Sequence, residues 1–467
     1  MLSSTSINTP SRYSHPMTIL TIVLMSYVMI VIDNSIVITG LPKIQNEFHF
    51  SATGLSWVSS AYALTFGGFL LLSAKAGDMY GRRKMLTLGL GLFSISSLAI
   101  GLSPGAEFLV TARAIQGVGA SILAPSTLAI LQVTFQPPHK RAKAISYYAA
   151  AGGLSASIGL VLGGLVADLL SWRVGFLINV PIGIVLIWAA NRFIPETELH
   201  IGRLDIPGTV LSSAGMAAII YGTISSAQVG WHSSITLLAL IGGIALLAAF
   251  IFIESRISDP LIPLRLFRSW ERSGAYAARL LYIGAAMGFF FYSTLFMQGV
   301  LDYSPIQAGF AFLPSMLVNF VTALYVPALS SRVKSRNILL VSLISALAGI
   351  LMLCTLSETS GYIDGLLTPM IFIGFGMGGA MGPLTSSGIG GVEPGDAGAA
   401  SGVVNAVHQV GGALGISVMV AAAETRGQFL TGQERLAHQV DNAFIAAAVL
   451  IATSLIIVLF IMSRHKE

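Results

Sequence analysis

Three polar side chains interrupt long apolar segments of the sequence and are the first candidates for chemistry. Asp33 is the only charged residue between positions 17 and 39, and Arg113 and His408 lie in similarly apolar surroundings. An ionisable group inside a bilayer is energetically expensive and by default marks a functional site. A carboxylate takes up a proton, an imidazole titrates near neutral pH and a guanidinium keeps its charge. We therefore predict that Asp33, Arg113 and His408 couple proton binding to substrate movement.

Asp33 and Arg113 are predicted to lie at the same depth in the membrane. With the rise of an α-helix they fall about 9 Å and about 10 Å inside the outer ends of their segments. We expect both to face one aqueous cavity, where a neighbouring cation favours ionised Asp33 and burial favours its protonated form. Two plainer alternatives stay open: Asp33 contacts interfacial water, and Arg113 binds backbone carbonyl groups.

His408 is predicted near the middle of the membrane, about 18 Å from the inner end of its segment. It is a candidate proton relay, with a packing role as the alternative. Arg279 lies about 10 Å from the inner face, so we expect its side chain to extend to that face. The predicted substrate cavity is lined by polar and aromatic neighbours of these groups: Asn34, Gln116, Tyr292, Asn405 and Gln409.

The composition is that of a membrane protein. Of the 467 residues, 54% are hydrophobic and only 10% are charged, whereas soluble domains carry about 25% charged residues. Fourteen apolar segments between residues 17 and 463 are long enough to cross a bilayer. Segments in lipid satisfy their backbone hydrogen bonds internally as helices. The sequence therefore predicts an all-α membrane protein with fourteen spans.

The positive charges are distributed as in a multi-pass membrane protein. If the N-terminus is cytoplasmic, nineteen of the 25 Lys and Arg residues fall on the inner side and four on the outer side. This bias places both termini in the cytoplasm. The net charge of +5 is thus a signal of topology, and nucleic acid is excluded as a partner.

Enzyme chemistry finds no support in the sequence. It contains no phosphate-binding Gly-x-x-x-x-Gly-Lys-Ser/Thr segment, no His-Glu-x-x-His and no nucleophile elbow. The single cysteine, Cys354, excludes an intrachain disulfide and a zinc site. We predict no catalytic residues, no metal and no cofactor, with a proton gradient as the energy source.

The chain divides into two similar halves. We predict six-helix bundles at residues 1–200 and 271–467, separated at 201–270 by two inserted transmembrane helices and a cytoplasmic linker. Repeated halves with a site between them are typical of secondary transporters. In the fifth span, Gly159, Gly163 and Gly164 are predicted to allow close helix packing.

A charged loop follows the second span, with the sequence Gly-Asp-Met-Tyr-Gly-Arg-Arg-Lys at residues 77–84. We predict a gating role for Asp78, Gly81, Arg82 and Arg83. The acid and the cations would bind the ends of neighbouring helices, and Gly81 would permit a tight turn. The alternative is simple anchoring by positive charge on the inner side.

Several blocks together resemble the major facilitator superfamily, and within it the branch of fourteen-span drug:proton antiporters. They follow in the expected order over nearly the whole chain: Asp33 with residues 37–42, the loop at 77–84, residues 112–120, residues 171–183, residues 303–309 and residues 397–402. The resemblance implies the major facilitator fold and proton-driven export of drugs. The fifth span lacks the proline that antiporters usually carry before the glycine pair at 163–164.

We therefore expect proton-coupled efflux of hydrophobic, cationic drugs or antiseptics through alternating access. An exporter of one metabolite, lipid or siderophore is an alternative, and a membrane sensor or a helper subunit is an alternative of another class. The expected partners are small substrates, protons and the lipid bilayer, with a periplasmic adaptor left open. We expect a monomer that spans the bacterial inner (plasma) membrane many times.

Overall fold

The protein is helical throughout the part that the computed structural model describes. That part is residues 15–460 without 136–137, 197–204, 258–259, 261, 331, 391, 393–396 and 425–431. The first half contains α1 (Pro16–Phe48), α2 (Ala52–Tyr80), α3 (Arg82–Gly101), α4 (Ala106–Thr134), α5 (Pro138–Leu169), α6 (Trp172–Leu177) and α7 (Asn179–Phe193). The middle contains α8 (Ile206–Val229), α9 (Ser234–Glu254) and a 3-10 turn, Leu264–Arg268. The second half contains α10 (Trp270–Gly299), α11 (Pro305–Ala311), α12 (Leu313–Ser330), α13 (Ser335–Leu353), a π-helical turn (Tyr362–Leu367), α14 (Thr368–Ile389), α15 (Ala397–Ala423) and α16 (Gly432–Phe460).

The helices account for all fourteen predicted spans. Thirteen helical segments of the described chain are long and apolar enough to cross a membrane, counting α6 with α7 and α11 with α12 as single segments. The remaining unit is α5, whose apolar part is Ile158–Leu169. The all-α membrane architecture predicted from the sequence is thereby confirmed.

The two halves repeat one packing pattern. In the first half α2 and α3 pack on α4, α1 packs on α5 and α7 packs on α3. In the second half α12 and α13 pack on α14, α10 packs on α15 and α16 packs on α13. One large apolar core lies within the first half, and a second joins the helices of the second half to residues of the first half such as Leu41 and Trp172. The predicted domain boundary at residue 200 lies outside the described residues, and the boundary at 270 coincides with the start of α10.

Arginines at equivalent helix starts make equivalent contacts in the two halves. Arg83 near the start of α3 donates to the carbonyl of Ile194 at the end of α7, at 3.4 Å. Arg336 near the start of α13 donates to the carbonyl of Leu459 at the end of α16, at 2.9 Å. A cation at a helix C-terminus meets the negative end of the helix dipole. The charged loops therefore close the same ends of both bundles.

The inserted helices α8 and α9 form a hairpin beside the interface of the halves. A Cβ at Gly215 of α8 would lie 3.0 Å from the carbonyl of Gly243 in α9, so small residues set their close approach. The helix α8 also packs on α2 and on α15, one from each half. The insertion therefore lies where the two halves meet.

Three pairs of helices make most of the contacts between the two halves in the described part of the chain. α2 packs on α15, α5 on α11, and α1 on α10. Gln298 of α10 donates to the carbonyl of Thr39 in α1, at 3.0 Å. On the orientation predicted from the positive charges, this bond and the α5–α11 contact both lie toward the outer side. The helix α1 thus belongs to the first bundle and touches the second.

Candidate functional site

The carboxylate of Asp33 is the centre of a buried polar network. It lies on α1 and is 1% exposed. Its Oδ2 accepts a hydrogen bond from Nη1 of Arg113 at 2.9 Å, which is also an ion pair. Its Oδ1 accepts from Nε2 of Gln116 at 2.9 Å and from Nδ2 of Asn179 at 2.7 Å. Donors therefore occupy both oxygens, as a buried charge requires.

The guanidinium of Arg113 joins three helices. It lies on α4, pairs with Asp33 on α1 and donates from Nε to the carbonyl of Val58 on α2, at 3.0 Å. The ring of Tyr62 covers it, with 4.3 Å between the guanidinium carbon and the ring centroid. Because the flat, charged group is paired, hydrogen-bonded and stacked, burial in the bundle is tolerated. Both readings of Arg113 thus have support, since it binds a backbone carbonyl as well as the carboxylate.

Ser97 and Asn179 complete the network but are not among the residues that the sequence predicts for the site. The Oγ of Ser97 accepts from Gln116 at 2.8 Å and from Asn179 at 3.3 Å. Ser97 lies on α3, and Asn179 begins α7 just after the break between α6 and α7. The sequence carries one signal that could have identified Asn179 as a site residue: it is a polar amide within an apolar span.

The expectation that Asp33 and Arg113 face an aqueous cavity is not met in this structure. Both side chains are about 1% exposed, and their hydrogen-bond partners lie on α1–α4 and α7 of the first bundle. Nor does Asp33 reach interfacial water. Depth alone does not fix the direction in which a side chain points from its helix. The pair lies inside the first bundle rather than between the two bundles.

His408 lies in a second polar cluster, in the other half. Its Nδ1 is 3.3 Å from Nη2 of Arg279 on α10, and Nη1 of Arg279 donates to Oγ1 of Thr385 on α14, at 2.8 Å. The helices α10 and α15 approach closely here: a Cβ at Gly411 would lie only 2.9 Å from Cα of Leu280. The prediction that Arg279 extends to the inner face is wrong: the side chain is 6% exposed and points between helices.

The predicted cavity residues are dispersed. Gln116 is fully buried in the network of Asp33, and Asn34 donates to the carbonyl of Ile30 in its own helix. Asn405 is exposed and Gln409 is half-buried, and both lie on α15. Backbone and side-chain atoms of Gln409 and its neighbours pack on Gly67 of α2. Only one of the five, Tyr292, lines a cavity described below.

A cavity of about 600 Å³ lies between the two halves. It is bounded by the ends of α1, α10 and α15 and by the start of α16. Its lining combines aromatic rings and amides, including Phe50, Tyr292, Gln45, Asn46, Gln298 and Gln439. This volume matches drug-sized ligands, and amides beside aromatic faces suit amphipathic organic molecules.

Glu196 organises the charged loop that the sequence predicts as a gate. Its carboxylate accepts from the backbone N–H groups of Arg83 at 3.0 Å and Lys84 at 3.2 Å, at the N-terminus of α3. Gly81 has φ +102°, and a Cβ there would lie 2.6 Å from the Glu196 carboxyl carbon. Arg82 donates to the carbonyl of Ala129 near the end of α4, at 3.0 Å. The side chain of Asp78 lies outside the described residues.

The three glycines of α5 lie at close helix contacts. A Cβ at Gly159 would be 2.6 Å from Cβ of Ser35, and one at Gly163 would be 2.6 Å from Cα of Ile36. Gly164 instead abuts the backbone of Pro305 in the second half. One stripe of small residues therefore packs α5 on α1 and, at its outer end, on α11.

The sequence profile of the Major Facilitator Superfamily matches residues 23–205 and 208–416. The chain belongs to the Major Facilitator Superfamily. It is therefore a transporter rather than an enzyme, and a multi-pass membrane protein that moves small molecules.

Similar proteins are named for antibiotic resistance or antibiotic export. The chain is 36% identical to the puromycin resistance protein of Streptomyces alboniger over 405 residues, which cover 86% of this chain and 80% of that protein. It is 34% identical to the cephamycin export protein of Amycolatopsis lactamdurans over 446 residues, which cover 94% of this chain and 91% of that protein. The fold matches a solved peptide transporter with a TM-score of 0.69 at 13% identity, over 96% of this chain and 94% of that one. These relatives agree with the drug-export branch that the motifs resemble.

Proposed function

We propose that this transporter exports hydrophobic compounds, cationic drugs among them, in exchange for protons. Its similarity to proteins named for drug resistance and antibiotic export supports export. The single observation that supports proton coupling is the enclosed carboxylate of Asp33, held by donors from α4 and α7. A proton gradient is the energy source in this proposal.

Protonation of Asp33 would release Arg113. The ion pair at 2.9 Å depends on the negative carboxylate, because the guanidinium keeps its positive charge and a protonated carboxyl group carries no compensating charge. Once neutral, Asp33 no longer balances the charge of Arg113, which then gains by moving toward water or toward a substrate. The pair connects α1 and α4, so its loss weakens the link between the two helices and leaves the bond from Gln116. This is the two-state element that a proton can bias.

The helix α1 carries that change to the interface. Six residues beyond Asp33, its Thr39 accepts a hydrogen bond from Gln298 of the second half. Between them, Ile36 packs against Gly163 of α5, which itself contacts α11 through Gly164. A shift of α1 would therefore loosen the contacts that close the halves together on one side. Rocking of the halves about these contacts would give alternating access.

The cavity between the halves is the proposed substrate site on this path. A hydrophobic cation would lie against Tyr292 and Phe50, where an aromatic face attracts positive charge. Substrate and proton would compete for Asp33 in this mechanism. In this conformation Arg113 occupies that carboxylate, so competition requires the pair to open first.

We propose that the transporter lies in the bacterial inner membrane with both termini in the cytoplasm, and that it works as a monomer. A periplasmic adaptor is an optional partner in this proposal. Transport by the purified protein alone in vesicles would exclude the alternative of a helper subunit.

Export of one specific metabolite is the second candidate function. It is favoured by the 34% identity to a protein named for cephamycin export, which covers 94% of this chain. A broad drug exporter carries several unrelated dyes, whereas a dedicated exporter carries none of them. A panel of structurally unrelated fluorescent dyes in the same vesicles separates the two functions.

The proposal is tested in proteoliposomes loaded with the purified protein. We expect a dye such as ethidium to be pumped when a pH gradient is imposed, and pumping to stop when an ionophore dissipates the gradient. Vesicles without protein are the control. Pumping that is unaffected by the ionophore would refute proton coupling.

A further inference from the structure

The cluster around Arg279 differs from that around Arg113 in lacking a negative charge. Arg279 is 6% exposed and lies among α10, α14 and α15. Its two contacts are to neutral groups, Oγ1 of Thr385 and Nδ1 of His408. Within the described residues no carboxylate forms an ion pair with it, and its buried Nε has no hydrogen-bond partner. A guanidinium buried without a counter-ion is an expensive arrangement.

The hydrogen bonds of the cluster leave donors for an incoming group. A guanidinium only donates, so Nδ1 of His408 accepts its bond and the ring proton lies on Nε2. Nε of Arg279 and Nε2 of His408 are therefore N–H groups that can donate. The Nε edge of a guanidinium is the fork that binds a carboxylate with two parallel hydrogen bonds. The set of donors suits an anion and repels a cation.

The cluster borders the space between the halves. His408 and Thr385 are half-buried, and Asn405, one turn before His408 on α15, is exposed. The same helix packs on α2 of the first half, where Gly67 meets the backbone of Ala406. Arg279 thus lies within the second bundle next to partly exposed side chains at the border of the first half. The enclosed pair of Asp33 and Arg113 has no such access in this structure.

We propose that Arg279, Thr385 and His408 form a binding site for the carboxylate group of transported compounds. This inference rests on the proposed export function and adds hydrophobic acids and zwitterions to its substrate class. The carboxylate supplies the counter-charge that Arg279 lacks, and the charged hydrogen bonds strengthen because water is excluded. A hydrophobic body attached to the acid would extend into the space between the halves.

The site is tested by the affinity of the purified protein for a matched pair of ligands. We would use pyrenebutyric acid and its methyl ester, which differ in charge but hardly in shape, and measure the ligand-dependent rise in unfolding temperature. The wild-type protein should bind the acid more tightly than the ester by about tenfold or more, the effect of a charged hydrogen bond. Equal affinities, or no binding of the acid, would overturn the proposal.

Variants separate recognition from a purely structural role. Arg279→Gln should bind acid and ester equally, and Arg279→Lys, which keeps the charge without the fork, should retain part of the preference. Arg256→Gln, at an exposed arginine beside Phe252 on α9, should keep the full preference. If Arg279 only ties three helices together, its variants would lower stability but keep the preference for the acid, which overturns the proposal. If Arg279→Gln does not fold, Arg279→Lys and His408→Gln replace it in the test, and both should show a reduced preference for the acid.

The binding assay needs no proton gradient, so its result tests the carboxylate site independently of the proposed proton coupling. A preference for the acid without pH-driven pumping would retain the site and remove proton coupling. Pumping without the preference would retain proton coupling and remove the site.

Discussion

Asp33 and Arg113, 80 positions apart in the chain, form a 2.9 Å ion pair with both side chains about 1% exposed. The pair lies between α1 and α4, with Gln116 and Asn179 holding the second carboxylate oxygen. A charged pair at this depth is stable only while both charges and their hydrogen bonds persist. A single proton on Asp33 therefore leaves the charge of Arg113 uncompensated inside the first bundle. This makes the pair suited to the proton coupling proposed above.

Removing the positive partner should damage both stability and transport. Arg113→Ala leaves Asp33 without its counter-ion in a dry site, a change that destabilises soluble proteins by about 3–5 kcal/mol. We expect a clearly lowered unfolding temperature in detergent at neutral pH. The double variant Arg113→Ala/Asp33→Asn removes both charges and should recover much of the stability. Equal unfolding temperatures for the single and double variants would show that the pair is not coupled energetically.

Close contact of the halves through α5 should be sensitive to one glycine. Gly164→Ala places a Cβ against the backbone of Pro305, where no flexible side chain can give way. We expect loss of transport with normal insertion in the membrane, because the substitution blocks the contact of α5 with α11. Gly91→Ala, in α3, is the matched control since its Cβ would meet nothing within 4 Å. Full transport by the Gly164 variant would contradict a role for this contact in the cycle.

Glu196 should stabilise the charged loop. It caps the N-terminus of α3 and pairs with Arg83 at 3.6 Å, with side chains 22% and 31% exposed. We expect Glu196→Gln to destabilise the protein by about 1 kcal/mol, since the cap and its favourable interaction with the helix dipole weaken. Thermal unfolding measures this, and Glu358→Gln in an exposed turn is the control. No shift relative to that control would argue against the cap.

The sequence predicted the depth of polar groups better than their direction. Helical rise is fixed, so counting residues placed Asp33 level with Arg113, and the two do meet. The rotation of each helix depends on packing with distant segments, which spacing along the chain does not encode. For the same reason Ser97 and Asn179 were not predicted, because α3 and α7 bring them to α1 only in the folded bundle.

Arg279 shows the same limit in the second half. A long cationic side chain about 10 Å from the inner face is expected to reach that face. Instead the glycines of α15 bring α10 and α15 so close that Thr385 and His408 offer partners inside the bundle. Composition and hydrophobic length sufficed to predict the spanning helices, because bilayer thickness and the need to satisfy backbone hydrogen bonds dictate them.

The most direct test of the account is transport by Asp33→Asn in proteoliposomes with an imposed pH gradient. The amide keeps the shape of the side chain but takes up no proton, so we expect pH-driven pumping of ethidium to vanish. Ligand-induced thermal stabilisation, measured on the same preparation, would show that the variant is folded and binds its substrate. Pumping by Asp33→Asn that follows the pH gradient as the wild type does would contradict the central role of Asp33.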